Sequence, residues 1–526
     1  MPKASHAYDG AHGWNTEWPR IRDVGTADQE DYLMTMHGMF WRFPGDFTAD
    51  RSAGIRPRSA YLKVIGDFTR WEDRLVFGCD DSAQKEFLNK RKAKGKIAGP
   101  GQSNSNLWFT SLITPDNLGP ATADGAVWIK DTVATGTCSE PFLFAGWKQR
   151  SSWLRNDGCR PVCFTFEVDE KGNGQWTELK KSDVPAGGAV VVDFTEEDKG
   201  EWIRVKADRN CIATVSFNYT QPDRRSGKPD KMFSGLACVR EKHSLGGLLY
   251  SLGKNERALG VWTEGGYYVM ADSFRLERRE DPVMASYIHE KLAIPEQVVL
   301  VEEGSVLVVD DKGRRWRLPL GEEAFTPLAC EHALRICREV ATERDLMNCH
   351  GTFYELPAEN ADGFAKIRPI ASHSFRIQDY ASYRGLLVMT GINPEKASGN
   401  KHVIVSGDGK AAVWAGAIDD LWKLGKPVGQ GGPWVNTQVT AGKYSDPYLI
   451  GYYDKKILTL SHQGENTVRI TVEADPTGNG DFMKYEDFSV EAGKKLTYTF
   501  PEAFQARWIR FKANCDVVAT ARLEYR

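Results

Sequence analysis

The chain contains a long internal duplication. The stretch "GAVWIKDTVATGTCSEPFLFAGW" from Gly125 matches "GGPWVNTQVTAGKYSDPYLIGYY" from Gly431, and the offset of 306 residues then holds to the last residue. Of the 96 ungapped pairs in this register, 29 are identical. Two copies this similar are expected to form the same supersecondary units, so the duplication constrains the fold more than any local pattern does.

The correspondence extends upstream. "LMTMHGMFWRFP" at 33–44 matches "LMNCHGTFYELP" at 346–357, which aligns His37 with His350. Between the copies lies a segment of different sequence. We therefore predict three units: a first copy at 1–220, an intervening β segment at 221–328 and a second copy at 329–526.

Short strands dominate both copies. Apolar and polar residues alternate in "RGLLVMTG", "HVIVSGDGKAAVWAG" and "VRITVEAD", and glycine-rich turns separate such runs, as is typical of antiparallel strands. Helical patterns are few and occur at 82–96, 281–293 and 326–345. The sequence therefore predicts an all-β fold.

The duplication is compatible with two architectures. If each copy supplies about three four-stranded blades and the intervening segment supplies about one, the sum is a β-propeller of about seven blades. The alternative is two similar β domains, in which residues 148–220 and 454–526 form sandwich modules. We expect the propeller, although the repeated "GNG" turns and "WIR…ATA…Y" endings suit a sandwich too.

Charge and composition argue against several kinds of partner. The chain has 68 Lys and Arg against 71 Asp and Glu, so no overall field favours nucleic acid or an anionic membrane. No apolar run approaches a membrane span, and "MPKASHAYDG" lacks an apolar signal core. We expect a soluble chain, cytoplasmic as given, or periplasmic or secreted if a leader was removed.

Metals and cofactors are not expected either. The ten cysteines form no CxxC pair, which argues against a zinc site. The sequence contains no GxSxG elbow, no phosphate-binding GxxxxGK[ST] loop and no HExxH motif. Any chemistry is therefore expected from carboxylates, histidines or tyrosines.

The sixteen tryptophans point to a saccharide ligand. Indole rings need a core or a ligand to cover them, and a strand-rich chain can present them on a surface that binds sugars. We therefore expect an oligosaccharide or polysaccharide partner. The candidate binding residues are aromatic platforms, arginines able to bind a carboxylate, and a histidine that is not repeated: Arg56, Arg368, Trp14, Trp71, Trp108, Trp414, His373 and Tyr383.

Candidate catalytic residues come from two sources. The aligned His37 and His350 can act as general acid or base if the fold turns both copies toward one pocket. Asp67 and Asp379, which align in "VIGDF" and "RIQDY", can take the same roles. Stretches found in the first copy alone add two carboxylates: Glu17 and Asp80.

Each repeated residue also has a structural explanation, because a duplication copies whatever a turn or a strand requires. Gly172-Asn173-Gly174 and Gly478-Asn479-Gly480 predict hairpin turns in which Gly and Asn supply positive φ. The repeated tryptophans can be core residues, and the repeated aspartates can cap turns.

The repeats, the "HGxF[WY]xxP" stretches and the "WIR…ATA…Y" stretches give the chain a resemblance to bacterial β-propeller proteins that act on complex carbohydrates. The resemblance implies a glycoside hydrolase, in which two carboxylates flank the scissile bond, or a polysaccharide lyase. In a lyase, Arg56 or Arg368 would neutralise a uronate, and His37 or His350 would remove the neighbouring proton. We expect hydrolysis, and a non-catalytic scaffold for glycan binding or protein interaction is the remaining alternative.

Overall fold

The structure consists of antiparallel β-sheets with few helices, so the prediction of an all-β fold is confirmed. The computed structural model describes residues 1–4, 19–80, 105–252, 258–296, 298–331, 333–341, 344–357 and 362–526. Within these residues, no helix combines the length and the apolar character needed to cross a membrane. Single 3-10 turns occur at Thr114–Asp116, Lys231–Phe233, Gly363–Lys366, Pro394–Lys396 and Ile418–Lys423.

Two small sheets come first in the chain. Their strands are β1 (Arg20–Asp23), β2 (Tyr32–Met36), β3 (Met39–Phe43), β4 (Arg56–Ala60), β5 (Ile65–Trp71), β6 (Arg74–Asp80) and β7 (Ser105–Ser111). They pair in the orders β1-β2-β3-β4 and β5-β6-β7. Phe40 of β3 and Phe77 of β6 lie 5.4 Å apart between ring centroids, so the two sheets share a core.

The first copy ends in a β-sandwich. Its strands are β8 (Thr122–Val133), β9 (Phe142–Leu143), β10 (Gln149–Asn156), β11 (Val162–Asp169), β12 (Trp176–Val184), β13 (Ala189–Phe194), β14 (Trp202–Ala207) and β15 (Cys211–Thr220). They form two sheets, ordered β13-β10-β15-β8 and β12-β11-β14-β9. The ring of Phe217 lies 5.1 Å from that of Phe142 and 6.3 Å from that of Phe166, so the two sheets pack face to face.

The intervening segment contains two small sheets, where about one blade is expected. Its elements are β16 (Leu248–Ser251), β17 (Leu259–Thr263), β18 (Gly266–Met270), β19 (Leu276–Arg278), α1 (Pro282–Lys291), β20 (Val299–Glu302), β21 (Ser305–Val309), β22 (Arg315–Leu318) and α2 (Phe325–Cys330). The Asp281 side chain accepts a hydrogen bond from the Met284 amide, and proline at the first helical position starts α1 as the pattern predicts.

The helix predicted at 326–345 is wrong beyond residue 330. The helix α2 ends at Cys330, and strand β23 (Cys337–Ala341) follows. Arg335, just before β23, and Arg338 within it are fully buried, and both bind Asp379. Strand pairing and buried ion pairs therefore override the local helical pattern. The predicted helix at 82–96 lies outside the described residues.

Two more small sheets begin the second copy. Besides β23, their strands are β24 (Arg344–Cys349), β25 (Thr352–Leu356), β26 (Arg368–Ser372), β27 (Tyr380–Tyr383), β28 (Leu386–Met389), β29 (Val403–Val405) and β30 (Ala412–Gly416). The orders are β23-β24-β25-β26 and β27-β28-β30-β29. Strand β27 contacts both β16 and β23, which places three of the small sheets side by side.

The second copy also ends in a β-sandwich. Its strands are β31 (Gly429–Val439), β32 (Tyr448–Leu449), β33 (Lys456–His462), β34 (Val468–Asp475), β35 (Met483–Val490), β36 (Lys495–Thr499), β37 (Trp508–Ala513) and β38 (Val517–Tyr525). Their pairing repeats that of β8 to β15 strand for strand. One parallel pair, Arg317 with Tyr448, joins β22 to β32, so the sheet β20-β21-β22 continues into this sandwich.

In its described residues, each copy therefore shows two small sheets followed by a sandwich. The sandwich modules of the alternative architecture are present, and they begin earlier than the predicted bounds, at Thr122 and Gly429. Within the described residues this leaves six small sheets, of three or four strands each. The sandwiches contact each other through a buried ion pair between Asp124 and Arg507, with a nitrogen–oxygen distance of 3.1 Å.

Candidate functional site

The repeated histidines occupy hairpin turns. His37 and Gly38 link β2 to β3 with φ of 55° and 76°, and His350 and Gly351 link β24 to β25 with φ of 48° and 79°. Positive φ at both central residues is the geometry of a type I′ turn, which suits tight antiparallel hairpins. The turn explains why the His-Gly pair occurs in both copies. The carbonyl of His37 accepts a hydrogen bond from the Ala4 amide.

Both ring nitrogens of His350 have partners. Its Nδ1 accepts a hydrogen bond of 2.9 Å from the Gly321 amide, so its Nε2 carries the proton that faces the Thr326 hydroxyl at 3.2 Å. Burial lowers the pKa of His350 to about 4, which keeps the ring neutral near pH 7. The ring is a fixed part of the contact between β24–β25 and residues 321–326.

The aligned aspartates have opposite environments. Asp67 is exposed and its carboxylate lies 2.7 Å from the Arg22 guanidinium. Asp379 is fully buried, with Arg335 at 2.5 Å and Arg338 at 3.0 Å. A carboxylate enclosed by two guanidinium groups holds a structure together and has no access to a ligand.

The two candidate arginines each bind a carboxylate of the protein. Arg56 of β4 forms a two-pronged contact with Glu201, at 2.7 and 2.6 Å, and so ties the first small sheet to the first sandwich. Arg368 of β26 lies 2.6 Å from Glu355 on the adjacent strand, and both side chains are buried. The structure thus pairs both arginines internally.

The candidate aromatic residues divide into core and surface. Trp414 is fully buried and its indole N–H donates to the Met232 carbonyl at 2.7 Å, while Tyr383 is also buried. Trp108 is partly buried against Phe77, at 5.4 Å between ring centroids. Trp71 is 64% exposed at the end of β5. Trp14 and Glu17 lie outside the described residues, as does the side chain of Asp80.

His373 borders a cleft between the second sandwich and the sheet β23–β26. The cleft measures about 430 Å³ and is also lined by Glu322, Lys426 and Glu524. The ring of His373 accepts a hydrogen bond from the Phe375 amide at 3.1 Å and faces the Asn348 side chain at 3.1 Å. Burial lowers its pKa to about 3, so His373 is neutral and held in place.

The two carboxylates of the His373 cleft are ion-paired. Glu322 lies 3.0 Å from Arg240, and Glu524 lies 2.7 Å from Arg526. The hydrogen bond from Arg526 holds the pKa of Glu524 below its usual value. An ionised carboxylate can accept a proton or bind sugar hydroxyl groups.

A second cleft, the Trp262 cleft, is lined by five separated parts of the chain: 244–248, 262–265, Ala333, Arg376 with Gln378, and 409–410. It measures about 470 Å³. Trp262 of β17 is half-buried, and its ring lies 4.3 Å from that of His289 on α1, which holds the indole against the helix. The Gln378 side chain accepts a hydrogen bond of 2.6 Å from the Gly247 amide.

The charged and amide side chains that line the Trp262 cleft are Glu264, Arg376, Gln378 and Lys410. None of them, nor Trp262, is among the residues singled out from the sequence. The signal that points to two of them is the difference between the copies, because Arg376 and Gln378 align with Val64 and Gly66. Within the described residues, no group of three His, Cys, Asp or Glu side chains is placed to hold a metal ion.

Comparison with known proteins identifies no relative. No protein-family model matches the chain, and no curated protein matches it. Among solved structures, the PBSX exported protein XepA aligns over 84% of this chain and 99% of its own, with 7% identity and a TM-score of 0.15. An exo-β-1,3-galactanase from Phanerochaete chrysosporium aligns over 39% of this chain and 57% of its own, with 9% identity and a TM-score of 0.13.

A third alignment, with PirA, covers 19% of this chain and 93% of that protein, with 14% identity and a TM-score of 0.12. TM-scores this low establish no shared fold, and no function is transferred from these proteins. The chain belongs to no family that these comparisons identify.

Proposed function

We propose that this chain binds a carbohydrate in the Trp262 cleft. The observation that carries the proposal is a half-buried indole beside charged and amide side chains, in a cleft whose volume of about 470 Å³ falls in the range of small-molecule sites. An indole presents a rigid apolar face to the C–H face of a sugar ring. The neighbouring carboxylate, amide and cationic groups suit its hydroxyls.

The test is a binding screen with the variant Trp262→Ala. Wild-type protein is titrated with a broad panel of oligosaccharides by calorimetry, and we expect at least one member to bind and Trp262→Ala to weaken that binding by about tenfold or more. Trp71→Ala is the matched control, since Trp71 is an exposed indole outside the cleft. Equal affinity of wild type and Trp262→Ala, with both folded by circular dichroism, would overturn the proposal.

Glycoside hydrolysis in the His373 cleft is the second candidate function. It is favoured by one observation, which is that Glu322 and Glu524 border the same cleft. Hydrolysis needs one carboxylate that activates water or attacks the sugar and one acid that protonates the leaving oxygen. Both carboxylates are ion-paired, Glu322 with Arg240 and Glu524 with Arg526, so the geometry assigns neither of them to one of the two roles.

The two candidates are separated by an activity assay on the same panel. Reducing ends released by wild type and lost in both Glu322→Gln and Glu524→Gln indicate hydrolysis. Ultraviolet absorbance from an unsaturated product indicates elimination by a lyase instead. Binding without any product contradicts both catalytic candidates and agrees with the binding proposal.

We also propose that the small sheets are arranged as blades around a common axis, as in a β-propeller. The support is adjacency: β27 lies beside β16 and β23, β1 lies beside β5, and the Lys63 ammonium donates to the Gly385 carbonyl at 3.0 Å. The predicted units 1–220, 221–328 and 329–526 remain part of this proposal. An experimental structure in which the first strands of the small sheets do not face one axis would contradict it.

A further inference from the structure

The Trp262 cleft is asymmetric with respect to the duplication. "RIQDY" from Arg376 aligns with "VIGDF" from Val64, so two residues with polar side chains replace a valine and a glycine. Arg376 and Gln378 border the cleft, whereas Val64 is buried in its own copy. The two copies share their turn and strand geometry, so this geometry does not explain why the second copy has Arg376 and Gln378 at these positions.

Among the described residues, no carboxylate forms a salt bridge with either cation of the cleft. Within the part of the chain that the structure describes, neither Arg376 nor Lys410 forms a side-chain hydrogen bond or a salt bridge. By contrast, Arg56, Arg335 and Arg368 each bind a carboxylate of the protein. A half-buried guanidinium without a carboxylate is prepared to bind an anion through two parallel hydrogen bonds.

The charged side chains that line the cleft have a net positive charge. Glu264 is exposed, and with Arg376 and Lys410 the lining carries two positive groups against one negative group. Asp408, which adjoins Gly409 of the lining, accepts hydrogen bonds from the Ser406 hydroxyl at 2.6 Å and from the Tyr268 hydroxyl at 2.7 Å. Those bonds occupy Asp408, although its charge still acts on Lys410 through space.

We propose that the ligand of the Trp262 cleft is an acidic saccharide, whose carboxylate or sulfate binds Arg376 with Lys410 while a sugar ring lies on Trp262. This inference rests on the proposed carbohydrate binding and names its ligand class. The planar guanidinium matches a carboxylate in two-pronged geometry, and the ammonium adds a second positive charge. Gln378 is held by the Gly247 amide and borders the same space.

The experiment compares ligands that differ only in charge. The probes are a galacturonic acid trimer, its methyl ester, and a sulfated and an unsulfated galactose oligomer, each titrated calorimetrically into wild type, Arg376→Gln, Lys410→Gln and Trp262→Ala. We expect wild type to bind an acidic probe about tenfold or more tightly than its neutral counterpart, with affinity that falls as salt rises. The carboxylated and sulfated arms identify which anion is preferred.

The variants separate the two proposals. Arg376→Gln should reduce the preference for the acidic probe to within about twofold, because a charged hydrogen bond is lost. Arg224→Gln, which changes an exposed arginine outside the cleft, should retain the preference. Equal binding of acidic and neutral probes, abolished in Trp262→Ala, overturns the acidic ligand and leaves carbohydrate binding intact. Failure of wild type to bind any saccharide of this set and of the broad panel overturns both.

Discussion

The indole N–H of Trp508 donates a hydrogen bond of 2.9 Å to the carbonyl of Ala365, in the segment that precedes β26. The aligned Trp202 donates in the same way to the carbonyl of Ser52, at 3.1 Å, in the segment that precedes β4. In each copy, therefore, the sandwich is attached to the four-stranded sheet through the same tryptophan. The duplication has preserved a contact between modules as well as the modules themselves.

In each copy, a turn that contains glycine packs beside the carbonyl that accepts the tryptophan hydrogen bond. Replacing this glycine in the second copy should weaken the contact between the sandwich and the four-stranded sheet. A Cβ added at Gly478 would lie 2.4 Å from the Ala365 carbonyl oxygen, and Gly478 has φ of 71°. We expect Gly478→Ala to lower the free energy of unfolding by about 2–4 kcal/mol, from positive-φ strain and from the clash with backbone. Urea denaturation followed by tryptophan fluorescence measures the change.

The matched control is Gly480→Ala in the same turn. Gly480 has φ of 83°, but a Cβ there would meet nothing within 4 Å. We expect Gly480→Ala to lower the free energy of unfolding by about 1 kcal/mol, from backbone strain alone. Equal losses in the two variants would show that the contact with residue 365 contributes nothing to stability.

The aligned aspartates should respond differently to the same substitution. Asp379→Asn removes the buried carboxylate charge that contacts Arg335 and Arg338, which should cost about 3–5 kcal/mol of unfolding free energy. Asp67→Asn removes an exposed ion pair with Arg22 and should change stability by about 0.5 kcal/mol or less. Denaturation midpoints of the two variants test this, and a mild effect of Asp379→Asn would show that the arginine pair does not need the charge.

Stability should fall in acid because of His350. Its pKa is about 4 in the folded protein against an ordinary value of 6.5, so between these values the unfolded chain binds a proton that the folded chain does not. The part of the unfolding free energy that depends on a neutral His350 is complete above pH 6.5, and it is lost as the pH falls toward 4. His350→Asn should remove about one proton from the pH dependence of unfolding in this window. An unchanged slope in His350→Asn would contradict the assignment.

A buried lysine should make the stability of the protein depend on pH in the alkaline range. Lys456 donates to the Phe504 carbonyl at 3.2 Å, and burial lowers its pKa to about 7 from an ordinary 10.5. Between these values the unfolded state binds the additional proton, so this contribution to stability rises with pH from about 7 to 10.5. Lys456→Met should remove that rise and stabilise the protein at pH 6, as thermal unfolding at several pH values can show.

The aligned Arg150 is the control for the lysine. It donates to the carbonyls of Thr195 and Asp198, at 2.5 and 2.9 Å, and Asp198 aligns with Phe504. Because arginine stays charged, Arg150→Met should destabilise the protein at every pH in this range without changing the slope between pH 7 and 10.5. A stabilising Arg150→Met, or a Lys456→Met that leaves the slope intact, would contradict the prediction.

Local patterns predicted the parts of the fold that depend on nearest neighbours along the chain. Alternation in "VRITVEAD" corresponds to β34, and the two "GNG" stretches are turns, although the glycines and not the asparagines have positive φ. The pattern at 326–345 failed because β23 is a strand only by virtue of its partner β24. Pairing with another strand cannot be predicted from the pattern of a short sequence segment.

The all-β character, the duplication and the shared order of strands in the two copies could be read from the amino-acid sequence, because periodicity and turn chemistry act locally. The contact of Asp67 with water, the contact of Asp379 with two arginines, and the cleft bordered by Trp262, Arg376 and Lys410 became apparent from the folded chain. This is because burial and charge pairing depend on segments that are distant in the chain, such as those of Arg335 and Asp379, which are 44 residues apart. Aligned positions are therefore alike in backbone and free to differ in environment.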